Sequence, residues 1–161
     1  MEIPAGKICK NKVIIFSKFA EMCRILHQEL QEHSPLLISG EVSSKERQEI
    51  INEFNYNPKY KILIMTEAGT FGLNIQSCSF LINYDLPWSV SKMEQREGRA
   101  HRIGQTKSVT VYNLIARNTI DEYVVKVLHK KQKMSVDILK DDERLEDIGF
   151  NEEDIKAILR I

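Results

Sequence analysis

The chain has 161 residues, of which 42% are hydrophobic and 29% charged, so it can build one globular domain with a substantial core. No apolar run reaches about 18 residues, which excludes a transmembrane helix, and no signal-peptide pattern opens the chain. Three scattered cysteines without a CxxC pair and four separated histidines predict neither a disulfide framework nor a metal site, and they favour reduced thiols in a cytosolic compartment.

The net charge of zero conceals an uneven distribution of charged side chains. Residues 1–140 carry 20 basic and 15 acidic side chains, whereas residues 141–161 carry 3 and 8. The main part of the chain is therefore compatible with nucleic acid, while the acidic tail is not expected to bind it.

Strands and helices are predicted to alternate along the chain. Continuous apolar runs such as VIIFS indicate strands that are buried on both faces. The predicted strands lie at residues 13–17, 35–39, 61–66, 80–84 and 109–116. Apolar residues at helical spacing predict a helix after the first strand, and Ser43 with Glu46 forms a capping box for the next one. A third helix is predicted over 90–100, and a capping box of Thr119 and Glu122 precedes a fourth with an apolar stripe.

This alternation predicts an α/β fold with right-handed crossovers, in which helices cover both faces of a mainly parallel sheet. Ligands of such sheets bind beyond the carboxyl ends of the strands. Four polar or small residues follow predicted strands and are expected at that edge: Ser17, Gly40, Thr66 and Asp85.

A run of arginines lies between Gln95 and Gln105 and reads QREGRAHRIGQ. Arg96, Arg99 and Arg102 are three residues apart, so they are expected along one side of a helix or tight turn. Guanidinium groups bind phosphate through paired hydrogen bonds and stay charged, which makes a triphosphate the natural ligand. The alternative is a solvated, salt-bridged helix face.

A glycine-containing segment, TEAGTFGLNI, follows the third predicted strand. Its glycines, Gly69 and Gly72, allow close approach of the backbone to a ligand and leave amide groups free for phosphate. An ordinary turn between strand and helix is the alternative reading of the same pattern.

These motifs together resemble one family. The arginine run resembles motif VI of superfamily-two helicases, and its HRIGQ ending resembles the Swi/Snf branch of that superfamily. Residues 66–105 are similar to motifs V and VI of the Swi/Snf ATPases, in the form often seen in bacterial and phage members. Residues 12–19 resemble motif IV, and residues 119–132 resemble the helix that follows motif VI.

The resemblance implies the C-terminal RecA-like lobe of a Swi/Snf-family, DNA-dependent ATPase. The fold it implies is a three-layer α/β domain of the P-loop NTPase type, with a mainly parallel central sheet, helices on both faces and a C-terminal helical extension. The expected divisions are a flexible lead at 1–11, the helicase lobe at 12–118, a packing helix at 119–139 and an acidic helical tail at 140–161.

The resemblance also implies the roles of individual residues. Arg99 and Arg102 would be catalytic arginine fingers that reach the γ-phosphate, and Arg96 would hold a nearby carboxylate. The ATP-binding residues implied in this way are Gly69, Gly72, Asn74, Gln95 and Arg96. The residues implied for contact with the DNA backbone are Ser17, Lys18, Gly40 and Thr66. Asp85 is expected to be structural, and two departures from the family pattern, Glu67 and Thr70, bear on the DNA and nucleotide contacts of their loop.

The implied enzyme is a DNA-dependent ATPase with two lobes. No GxxxxGK[ST] motif occurs, so the isolated chain is expected to be an inactive fragment. The complete enzyme would use ATP and Mg²⁺, with the metal held mainly by the N-terminal RecA-like lobe of the same protein. The expected partner is double-stranded DNA, and no contact with a membrane is expected. The protein is also expected to be a monomer in the cytoplasm of a bacterium or phage-infected host. The alternatives are a non-catalytic nucleic-acid or protein binding module and the second lobe of an RNA helicase.

Overall fold

A computed structural model describes residues 11–67, 75, 77–100 and 109–138, with residues 79, 99, 100 and 131–138 described by their backbone alone. Within these residues five strands form one sheet. The strands are β1 (Lys12–Phe16), β2 (Leu36–Ile38), β3 (Ile62–Met65), β4 (Cys78–Asn83) and β5 (Thr110–Asn113). Their order is β2-β3-β1-β4-β5, and every neighbouring pair is parallel. The predicted parallel α/β sheet is confirmed.

The helices lie where the apolar spacing predicts them. They are α1 (Ala20–Glu29), α2 (Ser44–Tyr56), α3 (Val90–Ala100) and α4 (Ile120–Ile138), with a short 3₁₀ helix at Gln31–His33. The predicted capping box at the start of α2 is present. The amide of Glu46 donates to the Ser43 hydroxyl at 3.3 Å, and the Ser43 amide donates to the Glu46 carboxylate at 3.1 Å.

The start of α4 differs from the predicted capping box. The Thr119 hydroxyl accepts from the amide of Asp121 at 3.2 Å rather than from that of Glu122. The carboxylate of Asp121 accepts from the amide of Ala116 at 3.0 Å. A left-handed residue, Asn118 with φ 58°, turns the chain just before the helix. Asparagine tolerates this conformation, and the turn brings the Ala116 amide to Asp121 in place of the usual glutamate partner.

The far end of α2 is closed by a side chain from β1. The Lys12 ammonium donates to the carbonyl of Phe54, to that of Asn55 at 3.1 Å and to that of Asn57 at 3.2 Å. These carbonyls have no partner within the helix, and the helix dipole favours a cation there. The first residue of the sheet thus holds the helix that covers one of its faces.

Alternating residues of each strand build the core on the two faces of the sheet. On the α2 face, buried residues surround Ile14 and Phe16, namely Ile38, Ile51, Phe54, Leu63, Met65, Ile75, Cys78 and Leu81. On the α1 face the buried residues are Val13, Ile15, Cys23 and Ile64. Because side chains alternate across a strand, burial of both sets produces the continuous apolar runs seen in the sequence.

The chain divides into two compact units. The first comprises residues 1–85 and 96–114 and contains the sheet. The second comprises 86–95 and 115–161. In it Leu86, Val124 and Leu128 are buried together, with Val90 and Met93 packed against them. This burial confirms the apolar stripe predicted for α4, and the finer boundaries expected at 118 and 139 stay predictions. None of the helices in the described part of the chain is long and apolar enough to cross a membrane.

Candidate functional site

The carboxyl ends of the central strands bring the predicted residues to one edge. The amide of Ser17, just after β1, donates to the carbonyl of Met65 at 3.2 Å, and the amide of Thr66 donates to the carbonyl of Ile38 at 3.1 Å. The amide of Tyr84, just after β4, donates to the carbonyl of Phe16 at 2.9 Å. The ends of β1, β2, β3 and β4 therefore meet, as expected for the ligand-binding edge of a parallel sheet.

Asp85 joins the ends of β1 and β4 at this edge. Its carboxylate accepts a hydrogen bond from the Ser17 hydroxyl and a bifurcated one from the amide of Lys18, whose nitrogen lies 2.9 and 3.2 Å from the two carboxylate oxygens. The side chain of Asp85 is 19% exposed. Hydrogen bonds from a hydroxyl and a backbone amide hold this carboxylate in a fixed position. The contacts fit the structural role that the sequence predicts for Asp85.

Arg96 of α3 is buried at the same edge, with only 2% of its side chain exposed. Its Nη1 donates to Asn83 Oδ1 at 3.0 Å and to the carbonyl of Asp85 at 2.8 Å. Its Nη2 donates to Glu67 Oε1 at 2.7 Å and lies 3.6 Å from Asp85 Oδ1. The guanidinium carbon is 5.6 Å from the centre of the Phe16 ring. Arg96 therefore faces carboxylates of its own chain, as the family resemblance implies.

The polar cluster continues to the edge strand β5. Asn83 Nδ2 donates to Asn113 Oδ1 at 2.7 Å, while Asn83 Oδ1 accepts from Arg96 Nη1. The amide of Leu114 donates to the carbonyl of Asn83 at 3.0 Å. Asn83 is fully buried, so its amide must find partners inside the protein, and it finds one on each side. The cluster of Arg96, Glu67, Asp85 and Asn83 is hereafter called the arginine cluster.

Burial gives the arginine cluster a large energetic effect. A buried cation is tolerated only when it is paired and hydrogen-bonded, and removal of one partner leaves an uncompensated charge. Among the described residues, Arg96 Nε has no hydrogen-bond partner, whereas both Nη groups are occupied. The part of α3 that begins at Arg96 is thus held to the sheet edge by this side chain.

The residues predicted to contact DNA lie at this edge but present different groups. Ser17 is fully buried and its hydroxyl is engaged with Asp85. Lys18 is exposed, with its ammonium 4.8 Å from the centre of the Phe19 ring. Gly40 is exposed in the turn after β2. Thr66 is buried, and its hydroxyl has no hydrogen-bond partner among the described residues. The predicted DNA contacts of all four residues stay predictions.

The residues predicted to contact ATP are only partly described. Gly69, Gly72, Asn74 and Arg102 lie outside the described residues, as does Thr70. Arg99 lies within α3, although its side chain is not described. Gln95 is exposed on α3. Both Nη groups of Arg96 are occupied by residues of this chain. The predicted contribution of Arg96 to ATP binding stays a prediction.

Sequence reasoning missed three members of this polar network. Glu67 was predicted only as a departure from the family pattern, and Asn83 and Asn113 were absorbed into apolar strands. The sequence does contain a signal for such residues, namely a polar residue at the end of an apolar run that is predicted to be buried on both faces. A buried amide or carboxylate needs a hydrogen-bond partner, so a residue of this kind indicates a polar contact. The identity of that partner cannot be inferred from spacing, since Glu67 and Arg96 are 29 positions apart.

Burial also affects two thiols, that of Cys78 in β4 and that of Cys23 in α1. It raises the pKa of Cys78 to about 12, and it raises the pKa of Cys23 as well. The Cys23 thiol donates to the carbonyl of Ser17 at 3.9 Å. Both thiols are therefore protonated at neutral pH and are unsuited to nucleophilic chemistry.

A RecA-like ATPase lobe is the class that this fold defines, and comparison with solved structures supports it. The C-terminal part of the Fun30 ATPase domain aligns with a TM-score of 0.71 and 29% identity, covering 87% of this chain and 49% of that one. The Sulfolobus solfataricus SWI2/SNF2 ATPase core in complex with dsDNA aligns with a TM-score of 0.66 and 32% identity, covering 83% of this chain and 28% of that one.

The chain belongs to the helicase conserved C-terminal domain family, which it matches over residues 5–104. Among curated relatives, the uncharacterized ATP-dependent helicase YqhH of Bacillus subtilis is 36% identical over 121 residues. That alignment covers 75% of this chain and 22% of YqhH. The chain thus spans about a fifth of this relative, and the predicted second lobe of a Swi/Snf-type helicase is confirmed as its family and fold.

Proposed function

We propose that the chain supplies arginine fingers and DNA-backbone contacts to a Swi/Snf-type ATPase that moves along double-stranded DNA. The observation that carries the proposal is the burial of Arg96 in the arginine cluster. This contact fixes the part of α3 that begins at Arg96 at the carboxyl edge of the sheet, and Arg99 follows Arg96 by three residues on the same helix. Residues three apart on a helix are neighbours on its surface, so the backbone of Arg99 is held near the ligand-binding edge.

ATP is the substrate of the proposed reaction. The guanidinium groups of Arg99 and Arg102 would stabilise the charge that develops on the γ-phosphate, which in comparable sites changes the rate by about 10³ to 10⁵. Mg²⁺ supplies further neutralisation of the phosphates when bound. The described residues contain no group of three His, Cys, Asp or Glu side chains that could hold a metal ion. In the proposed enzyme, the metal would be held mainly by a first lobe.

DNA would be held at the same edge through its phosphates. Lys18 and Gly40 are the exposed members of the predicted set, and they offer an ammonium group and a backbone amide. Such contacts position a strand without reading its sequence. The similar Sulfolobus solfataricus core is in complex with dsDNA, which supports a duplex as the ligand here rather than RNA. We also propose that the protein is a monomer and acts in the cytoplasm of a bacterium or phage-infected host.

Replacement of the predicted fingers tests the catalytic part of the proposal. The chain would be joined to a first lobe that carries GxxxxGK[ST], and ATP turnover measured with saturating double-stranded DNA. Arg99→Lys and Arg102→Lys keep the charge but lose the forked geometry, so each is expected to lower turnover by about 10³ or more. The control is Arg24→Lys, which makes the same change at a surface ion pair. Turnover that survives both substitutions would refute the arginine-finger role.

Addition of RNA in place of DNA tests the choice of nucleic acid. Stimulation by double-stranded DNA and little stimulation by RNA is the expected result. Greater stimulation by RNA would favour the second lobe of an RNA helicase.

A further inference from the structure

The side-chain amide of Asn83 lies between the edge strand β5 and the buried arginine of α3. Its Nδ2 donates to Asn113 Oδ1 at 2.7 Å, and its Oδ1 accepts from Arg96 Nη1 at 3.0 Å. Asn83 and Arg96 are buried, at 0% and 2% exposure, whereas Asn113 is exposed. An exposed side chain of β5 is thus joined to a buried cation through a single amide.

The chemistry of Arg96 decides which way this amide points. A guanidinium group has only donors, so it requires the oxygen of the Asn83 amide and not the nitrogen. With the oxygen turned towards Arg96, the Nδ2 group is turned away from it, and Asn113 is the acceptor that it meets. The side chain at position 113 must therefore offer an acceptor if both ends of the Asn83 amide are to be satisfied inside the protein.

The backbone of the sheet places Asn113 for this contact. Asn113 is paired with Asn83 in the parallel register of β4 and β5, and the amide of Leu114 donates to the carbonyl of Asn83 at 3.0 Å. Both strands are thus held together at the position from which the two side chains meet. The acceptor oxygen is supplied from within the sheet.

Loss of this acceptor would release the orientation of the Asn83 amide. The buried Nδ2 group would lose its partner, and rotation of the amide would bring its donors to face the donors of Arg96. Arg96 Nη1 would keep the carbonyl of Asp85 but lose the oxygen of Asn83. Arg96 would then stay in the arginine cluster with one contact fewer to fix the direction of its guanidinium group.

We infer that Asn113 is a positioning residue that orients Arg96 through Asn83, and through Arg96 the backbone of the predicted finger Arg99; this inference rests on the proposed function. Arg99 lies three residues after Arg96 on α3. A small displacement of a group that acts in the transition state lowers the rate of turnover without preventing the substrate from binding. Asn113 thus contributes to turnover rather than to the affinity for ATP.

The test measures steady-state ATP turnover by the chain joined to a first lobe, with saturating double-stranded DNA. Asn113→Leu keeps the size of the side chain and removes the acceptor. It is expected to lower kcat by about 2- to 10-fold, the factor that corresponds to the loss of one hydrogen bond, and to leave KM for ATP unchanged. Asn113→Asp keeps an acceptor oxygen and is expected to restore most of kcat.

The matched control is Thr110→Val, which replaces a polar side chain by an apolar one of the same size at another exposed position of β5. It is expected to leave kcat and KM unchanged, and thermal unfolding would be followed for every variant. An unchanged kcat in Asn113→Leu would overturn the inference. A fall of the same size in Asn113→Asp or in Thr110→Val would also overturn it, as would a fall that the unfolded fraction accounts for.

A double variant tests the route through Arg99. When Asn113→Leu is added to Arg99→Lys, little further loss of kcat is expected, because the effects of residues that act through one another do not add. A further loss as large as that caused by Asn113→Leu alone would contradict a role that passes through Arg99.

Failure of this inference is distinguishable from failure of the proposed function. Absence of turnover in the joined protein without substitutions, or full turnover in Arg99→Lys, would refute the proposed function and the inference with it. Normal turnover that is lost in Arg99→Lys but retained in Asn113→Leu would refute only the positioning role of Asn113.

Discussion

Among single side chains, Arg96 is expected to have the largest effect on folding. Arg96→Met keeps much of the apolar volume but leaves Glu67 and Asp85 without their cation. Removal of one partner from a buried pair typically costs about 3 to 5 kcal/mol, so a loss of this size is expected in the free energy of unfolding. Urea unfolding would measure it. The control is Arg24→Met on the surface, for which a much smaller loss is expected because solvent screens its ion pairs. Equal losses in the two variants would contradict the structural role assigned to Arg96.

Cys78 makes stability depend on pH in the alkaline range. The thiol has a pKa of about 12 in the folded protein, against an ordinary value of 9.0. Between these values the unfolded chain ionises and the folded chain does not, so stability is complete below pH 9.0 and falls as the pH rises. The slope attributable to this thiol is about 1.4 kcal/mol per pH unit. The difference in unfolding free energy between the protein and Cys78→Ala, measured from about pH 8 to 11, should shrink accordingly. A difference that is independent of pH would contradict the burial of the thiol.

The arginine cluster marks the limit of prediction at individual residues. The sequence identifies Arg96 as one of three spaced arginines and Asp85 as a structural residue after a strand. Helical spacing alone cannot reveal which arginine turns inward, because residues three apart share a helix face whether it is buried or exposed. The tertiary contact with Glu67 decides this, and that contact joins segments that are distant in the chain.

Among the helices and strands, α3 contains a glycine that packing does not require. A Cβ added at Gly98 would meet no described atom within 4 Å. Glycine within a helix costs roughly 0.5–1 kcal/mol relative to alanine, so Gly98→Ala should raise the free energy of unfolding by about that amount. Urea unfolding checks the change, with Glu94→Ala at an exposed position of the same helix as a near-neutral control. A loss of stability in Gly98→Ala would contradict the described geometry of α3.

The strands were predictable from the sequence, while their ends were not. The runs that formed the central strands β1 and β3 are buried on both faces, which produces a continuous apolar pattern, whereas β5 contains no buried residue. The run at 109–116 forms a strand only over Thr110–Asn113. β5 is an edge strand that pairs with β4 alone, and β4 ends at Asn83, opposite Asn113. The length of the partner therefore ends β5, and residues 114–116 leave the sheet although they continue the apolar pattern.

The ends of the helices likewise include one that was predictable from local sequence and one that was not. The capping box of α2 is local in sequence and was predicted correctly. At the start of α4 the Thr119 hydroxyl accepts from the amide of Asp121, and the Asp121 carboxylate accepts from the amide of Ala116 beyond the left-handed residue Asn118. A single left-handed residue changes which side chain meets the free amide, and spacing rules do not detect it.

For the molecule as a whole, the fold and the family could be predicted from the sequence, but the reaction that the protein catalyses could not. Motif resemblance and the parallel sheet agree on the second lobe of a Swi/Snf-type helicase. The sequence contains no phosphate-binding GxxxxGK[ST] loop, and in the proposed function the predicted fingers would act on ATP held by a first lobe. Activity is therefore expected to belong to two lobes together.

Steady-state ATP turnover by separated and joined lobes tests this expectation most directly. The chain alone, a first lobe that carries GxxxxGK[ST], and the two joined together would each be assayed with and without double-stranded DNA. Turnover is expected only in the joined protein, and DNA is expected to increase it. ATP hydrolysis by the chain alone would contradict the two-lobe account, and a joined protein that binds DNA without hydrolysing ATP would identify the chain as a binding module.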